Sequence, residues 1–299
     1  MLRASPLFFL LLTTIHAERK PKPTMKSIAG ADTHIYKKVG DVELRLFLFK
    51  PEGHKPEDKT PAAVFFFGGA WNGGSPKQFE AHSKYLASRG MVAAVADYRV
   101  KSRQGTTPFE CVKDGKSAVR WLRQDAATLG IDPDRVAAGG GSAGGHVAAA
   151  TATTKGLEEE GQDLSVSSVP NALLLFNPVY DNGPGGWGHS RVKERWKEIS
   201  PMHNIRKGTP PTIVFLGTND KLIPVATAET YKKKMIEVGS RCDLHLYEKQ
   251  GHGFFNTNKA GGQHYRATVL EMDKFLISLG WLKGEPTIVA DEITKEQKK

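Results

Sequence analysis

Short apolar runs alternate with longer amphipathic segments along most of the chain. The runs predict buried strands at residues 34–38, 42–50, 62–67, 92–97, 136–139, 172–176, 212–216 and 244–249. Segments with apolar residues at helical spacing lie between many of these runs and predict helices at residues 77–88, 109–129, 226–238 and 264–279. Such alternation is typical of βαβ units, so the sequence predicts an α/β fold with a mostly parallel central sheet and helices on both faces.

The strand predicted at residues 136–139 leads into residues 140–144, which read Gly-Gly-Ser-Ala-Gly, and an alanine-rich helical pattern follows. A sharp turn between a strand and a helix exposes a serine hydroxyl, and glycines tolerate the backbone angles that the turn needs. Ser142 is therefore the candidate nucleophile. The alternative is an ordinary glycine-rich turn without a catalytic role.

A serine hydroxyl is a weak nucleophile at neutral pH and needs a base, which in turn needs a carboxylate to orient it. Asp220 follows the strand predicted at residues 212–216, and His252 lies on a glycine-flanked loop 32 residues later. The order serine, acid, histidine is one of the known orders of such a triad. Asp220 is therefore the candidate acid and His252 the candidate base.

Both residues also have ordinary interpretations. Asp220 could cap the helix that begins near Pro224, and His252 could be a solvated loop residue. Two other acids compete for the role, but Asp243 lies inside a predicted strand and Asp181 begins a glycine-rich loop. Neither position matches the end of a strand as well as Asp220 does.

Three further histidines are candidates for a role at the site. His146 is on the helix after Ser142, too close in sequence to reach the serine from the far side, and is expected to be structural or to form the pocket floor. His189 and His203 lie in an insertion, where they could contact substrate or be solvated.

Another glycine-rich turn follows the buried strand at residues 62–67, where residues 68–71 read Gly-Gly-Ala-Trp. Backbone N–H groups in such a turn can meet the charge of a tetrahedral intermediate. With turn, serine, acid and base in this order, the chain from about residue 42 to about residue 279 resembles the α/β-hydrolase fold. Within that fold it resembles the hormone-sensitive-lipase-like esterases, whose turn reads His-Gly-Gly-Gly/Ala.

The resemblance implies an oxyanion hole made of the backbone N–H groups of Gly69, Ala70 and Ala143. One position departs from the family pattern, because Phe67 stands where the family has its histidine. The side chain that usually braces the turn by hydrogen bonding is therefore absent. The three donors are backbone groups and survive this change, but what holds them in place is left open by the sequence.

The first residues predict a secretory signal peptide. Arg3 gives a positive start, a brief apolar run follows Pro6, and Ala17 is a small residue at which cleavage can occur. The run is too short to span a bilayer, although an uncleaved anchor is an alternative. We therefore expect a secreted or periplasmic protein. The predicted organisation is a signal peptide at residues 1–17, a flexible segment at 18–30, an α/β-hydrolase domain at 31–282 and a charged tail at 283–299.

The charge distribution and the residue content argue against several classes of function. The net charge is +10, but the basic residues are scattered, and the densest run, residues 232–234, lacks the interleaved aromatic residues of a nucleic-acid site. Cys111 and Cys242 could pair or remain two buried thiols. No group of residues has metal-ligand spacing, and triad chemistry needs neither a metal nor another cofactor.

The segment that covers the active site as a cap or lid is expected to be small. Only about fifteen residues separate the predicted cleavage site from the first predicted strand, which is too few for the helical cap of related lipases. Residues 181–208 are then the candidate lid, with Trp187 and Trp196 as its large side chains. Trp71 and Trp187 are the candidate substrate contacts.

An open cleft favours a small acyl substituent over a long acyl chain. The resemblance implies substrates such as acetyl or feruloyl esters of polysaccharides. The sequence therefore predicts a secreted serine carboxylic-ester hydrolase that forms an acyl-enzyme on Ser142. A peptidase or amidase of the same fold, and a non-catalytic binding module, are the alternatives.

Overall fold

The computed structural model describes residues 24–290. The predicted signal peptide, residues 18–23 and the end of the predicted tail, residues 291–299, lie outside the described residues. Within residues 24–290, eight strands form one sheet in the order β1-β2-β4-β3-β5-β6-β7-β8. The strands are β1 (Asp32–Val39), β2 (Val42–Phe49), β3 (Thr60–Phe66), β4 (Val92–Ala96), β5 (Ile131–Gly141), β6 (Ala172–Phe176), β7 (Thr212–Gly217) and β8 (Cys242–Tyr247).

The strand pairing confirms the predicted fold class. The β1–β2 and β2–β4 pairs are antiparallel, and the pairs from β4 through β3, β5, β6 and β7 to β8 are parallel. Parallel strands at the centre of a sheet are covered on both faces and are therefore apolar throughout. Every residue of β4, β6 and β7 is accordingly buried.

Helices cover both faces of this sheet. They are α1 (Glu80–Ser88), α2 (Lys101–Gln104), α3 (Pro108–Gln124), α4 (Ala126–Leu129), α5 (Ala143–Thr153), α6 (His189–Val192), α7 (Trp196–Ile199), α8 (Val225–Glu237) and α9 (Gln263–Ser278). Along β3, Val64 and Phe66 pack with α3, α5 and α8, whereas Ala63 and Phe65 pack with α1 and α9. The two-residue period of a strand thus divides the core into two layers.

Two predicted helices differ from the observed ones at their boundaries. The segment predicted at residues 109–129 is divided at Asp125, a weak helix former whose ψ of 11° interrupts α3 before α4 begins. The segment predicted at residues 77–88 begins as a 3-10 turn, Pro76–Phe79, capped by the Ser75 side chain, and becomes α-helical at Glu80.

Residues 181–208 contain the short helices α6 and α7. Val192 and Ile199 are buried and pack with Phe109 and Val112 of α3. The insertion is therefore anchored to the core. Among the described residues, no helix combines the length and the apolar character needed to cross a membrane.

Candidate active site

The three residues predicted as a triad come together at the carboxyl end of the sheet. The Nε2 atom of His252 lies 2.8 Å from Ser142 Oγ, and its Nδ1 atom lies 2.7 Å from Asp220 Oδ2. A carboxylate can only accept, so Nδ1 carries the proton and Nε2 accepts the hydrogen bond that Ser142 donates. This is the geometry in which an imidazole can remove the serine proton.

Ser142 occupies a strained turn directly after β5. Its φ of 55° and ψ of −120° are rare for a residue with a side chain, and such strain is common at functional sites. A Cβ at Gly140 would lie 2.5 Å from the Phe66 carbonyl oxygen, and a Cβ at Gly144 would overlap that same oxygen. The two glycines therefore let the turn pack against β3.

Asp220 follows β7 closely and serves two purposes. Its Oδ1 atom accepts hydrogen bonds from the backbone N–H groups of Leu222 and Ile223, while Oδ2 faces His252. Burial alone would raise the pKa of Asp220, but the hydrogen bond from His252 and those two N–H groups lower the pKa below its ordinary value. The carboxyl group is thus ionised in the state that orients an imidazole. Asp220 does not cap α8, because its two N–H donors lie in the turn before that helix, which begins at Val225.

The oxyanion turn, residues 68–71, contributes Gly68, Gly69 and Ala70 to the same cleft that His252 lines. Gly69 and Ala70 line the cleft, with φ values of 128° and 57°. Ala143 is the first residue of α5, and the first N–H groups of a helix have no partner within it. These positions fit the predicted donors, whose role stays a prediction.

The turn is braced without the histidine that Phe67 replaces. The Phe67 ring stacks on Tyr98 with centroids 4.2 Å apart, and the Tyr98 hydroxyl donates to the Phe67 carbonyl at 2.5 Å. The Gly68 N–H donates to Gln78 Oε1 at 2.6 Å. On the other side of the turn, Arg191 donates to the Ala70 carbonyl. Aromatic stacking and three hydrogen bonds therefore hold the backbone that presents the donors.

The cleft above Ser142 has a volume of about 280 Å³. Trp187, Leu222 and Phe255 give it apolar walls, and Gln78, Asn177 and Asn256 add three side-chain amides. Sequence reasoning missed these amides. Asn177 could have been found, because it directly follows β6 just as Ser142 directly follows β5.

Of the two predicted substrate contacts, only Trp187 lines the cleft, and the prediction for Trp71 needs correction. Trp71 is 2% exposed and lies behind Trp187, with its ring 5.4 Å from that of Trp187 and 4.9 Å from that of His146. It supports the cleft wall instead of contacting substrate. Trp196 packs against the layer around Phe109 and also lies away from the cleft.

The alternative acids are engaged elsewhere. Asp243 pairs with Arg241, and Asp181 Oδ1 accepts from the N–H of Gly183. Cys111 and Cys242 are both buried free thiols, so they do not form the disulfide that the sequence left open.

The other candidate histidines have structural partners. Buried His146 contacts Asn182 Oδ1 at 2.9 Å, and its burial lowers its pKa to about 4, as expected for a structural residue. His189 contacts the Asn182 carbonyl and His203 contacts Ser200. None of these three contacts involves Ser142.

The chain is similar to known families in two consecutive parts. The BD-FAE family model matches residues 46–174, which include Ser142. The Dienelactone hydrolase family model matches residues 187–280, which include Asp220 and His252. Together the two matched regions contain Ser142, His252 and Asp220, which form one hydrogen-bonded row.

Solved structures of one bacterial esterase are similar over nearly their full length. Thermogutta terrifontis esterase 2 phosphorylated by paraoxon shares 44% sequence identity and a TM-score of 0.83, over 86% of this chain and 97% of that chain. The same esterase with butyrate bound has a TM-score of 0.81 at the same identity, with the same coverage of both chains.

Curated relatives are more distant. An acetylxylan esterase of Xylanibacter ruminicola is 27% identical, over 80% of this chain and 48% of its own length. A probable isoprenylcysteine alpha-carbonyl methylesterase of Arabidopsis thaliana is 28% identical, over 70% of this chain and 48% of its own length. The chain therefore spans about half the length of these curated relatives.

Proposed function

Since the chain belongs to the α/β-hydrolase esterases, we propose that it hydrolyses carboxylic esters through an acyl-enzyme on Ser142. The observation that carries the proposal is the continuous hydrogen-bonded row from Ser142 through His252 to Asp220. In the first step His252 Nε2 takes the hydroxyl proton as Ser142 Oγ attacks the ester carbonyl carbon. The ionised Asp220 stabilises the imidazolium that forms.

The negative charge on the carbonyl oxygen would be met by the N–H groups of Gly69, Ala70 and Ala143. When the tetrahedral intermediate collapses, the imidazolium gives its proton to the departing alcohol oxygen and the acyl group stays on Ser142. A water molecule then repeats the sequence with His252 as base, and the carboxylic acid is released. The site residues thus return to their starting protonation states.

The proposed substrates are esters with short acyl groups. The apolar walls from Trp187, Leu222 and Phe255 surround a small cleft, and Leu222 is itself 40% exposed. Burial of a methylene is worth about 0.8 kcal/mol only while the acyl chain stays against apolar walls. The butyrate-bound structure of the similar esterase supports this size class.

Acetyl or feruloyl groups on polysaccharides are the more specific proposal, and the acetylxylan esterase among the relatives supports it. The proposal includes export by the signal predicted at residues 1–17, which mass determination of the protein isolated from its producing cell would test. Export is upheld if the chain begins after about residue 17.

The test is a panel of p-nitrophenyl esters of increasing acyl length, together with acetylated xylan and p-nitroacetanilide. We expect kcat/KM to be highest for acetate or butyrate and to fall beyond about eight carbons, where added methylenes lie in water. The Ser142→Ala variant should lose several orders of magnitude of turnover on every ester while its Tm is unchanged.

Three outcomes would contradict parts of the proposal. Retention of more than about a hundredth of the turnover by Ser142→Ala would remove the nucleophile assignment. A preference for palmitate-length esters would contradict the small cleft, and faster cleavage of the anilide than of the matched ester would indicate an amidase.

A further inference from the structure

Asn177 presents its side-chain amide to His252 Nε2, the nitrogen that would take the proton from Ser142. The residue directly follows β6, is fully buried, and has a φ of 34°, which a residue with a side chain rarely adopts. Its backbone N–H donates to the Phe215 carbonyl at 2.7 Å. Its Nδ2 atom lies 3.4 Å from His252 Nε2.

The orientation of this amide is determined by its other contact. The Oδ1 atom of Asn177 accepts the backbone N–H of Gly253 at 3.0 Å, and because that partner can only donate, the oxygen must face it. The Nδ2 donor is consequently directed at His252. The Gly253 carbonyl accepts from Asn256 Nδ2 at 2.7 Å, so both peptide groups of Gly253 are held.

In the resting site, the Nδ2 donor of Asn177 finds no free acceptor on His252. Neutral Nε2 has one lone pair, and that lone pair already accepts from Ser142 at 2.8 Å. When the imidazole becomes protonated, Nε2 can accept from neither group. A donor fixed beside Nε2 is then directed to the space that receives the imidazolium proton, and Asn177 lines the cleft there.

We propose that Asn177 is a catalytic residue whose Nδ2 donates a hydrogen bond to the departing alcohol oxygen, and later to the attacking water. The proposal rests on the proposed function. As the bond between the carbonyl carbon and the alcohol oxygen breaks, the Nε2 proton moves to that oxygen and a neutral alcohol leaves. Asn177 keeps both of its protons. In deacylation the water gives one proton to Nε2, its oxygen bonds to the acyl carbon, and Asn177 again holds that oxygen.

An alkyl alcohol must be protonated to leave, whereas p-nitrophenolate leaves without a proton. The test therefore compares kcat/KM for ethyl acetate and p-nitrophenyl acetate, which share one acyl group, in wild-type protein and in Asn177→Ala. We expect a loss of about 30-fold on ethyl acetate and of less than about 3-fold on the p-nitrophenyl ester. Asn171→Ala is the matched control, since Asn171 immediately precedes β6 at the opposite edge of the sheet, where it accepts from Arg123.

Asn177→Asp keeps the acceptor for Gly253 and replaces the donor by a carboxylate, so it covers the case in which the alanine variant does not fold. A negative charge 3.4 Å from Nε2 favours the protonated imidazole, and we expect the acid limb of the pH–rate profile to move upward by about one pH unit. The variant should also show the selective loss on ethyl acetate.

Equal losses on both esters, with an unmoved pH profile in Asn177→Asp, would overturn the proposal and leave Asn177 a structural support. The proposed function would survive that result, because its nucleophile assignment is tested separately, by the turnover that Ser142→Ala retains. The two failures are therefore distinguishable in one set of measurements.

Discussion

The triad, through Ser142 and His252, and the oxyanion turn line the same cleft but are built in different ways. Ser142, His252 and Asp220 bond to one another through the side chains that would react. Residues 68–71 present backbone groups, held in place by Gln78 and by the stacked rings of Phe67 and Tyr98. A substitution in the triad removes a reacting group, whereas a substitution beside the turn changes only where the donors lie.

The largest effect that separates the two regions is expected at Asp220. In Asp220→Asn the amide oxygen can accept from the N–H groups of Leu222 and Ile223 as Oδ1 does, but the amide nitrogen cannot accept from Nδ1. The imidazole then carries its proton on Nε2 and no longer accepts from Ser142. We expect kcat to fall by about 10⁴-fold, measured on p-nitrophenyl acetate.

Asp243→Asn is the control for that measurement. Asp243 pairs with Arg241 near the surface, and its loss should change kcat by less than about 2-fold. If Asp243→Asn were the damaging change and Asp220→Asn the silent one, the choice of acid would be wrong.

An intermediate effect is expected from Gln78→Leu, which removes the acceptor of the Gly68 N–H and frees the oxyanion turn. Because misplaced donors weaken binding of the transition state and not of the substrate, kcat should fall about 10- to 100-fold while KM changes by less than about 3-fold. Gln124→Leu, at the exposed end of α3, is the control and should resemble the wild-type protein. A raised KM with unchanged kcat would instead make Gln78 a substrate contact.

The smallest effect is expected in the wall that both regions share. Trp187→Ala removes apolar surface beside the acyl group, so the ratio of kcat/KM for the butyrate ester to kcat/KM for the acetate ester should fall by about 5-fold. Trp196→Ala is the matched control from the same insertion, and it should lower Tm without altering that ratio. An unchanged ratio in Trp187→Ala would mean that other residues hold the acyl chain.

The difference between the two regions also explains what the sequence could predict. The strands follow from apolar runs, and the triad follows from residue types whose chemistry is specific and whose positions fall after those strands. Gln78 and Asn256 could not be predicted in the same way, because an amide has a role only through the groups it faces after folding, whereas the position of Asn177 directly after β6 does mark it as a candidate. Trp71 directly follows Ala70 of the oxyanion turn, but with a φ of 53° its ring enters the core beside His146 and does not line the cleft.

The contacts that hold the oxyanion turn at Phe67 also depend on the folded structure. The sequence reveals that the histidine is missing but not that Tyr98, from the loop after β4, donates to the Phe67 carbonyl. Tyr98 and Phe67 are 31 residues apart, so their contact depends on the parallel pairing of β3 with β4. A backbone feature can therefore keep its place while the side chain that supports it changes.

The central claim, that Ser142 is a nucleophile activated by His252, is tested most directly by reaction with paraoxon followed by peptide mass mapping. We expect one diethylphosphoryl group per chain, located on Ser142, with loss of esterase activity in proportion to labelling. Ser142→Ala should remain unlabelled, and His252→Ala should be labelled several orders of magnitude more slowly. Labelling at a different residue in proportion to lost activity, or undiminished labelling of His252→Ala, would contradict the assignment of Ser142 as a nucleophile activated by His252.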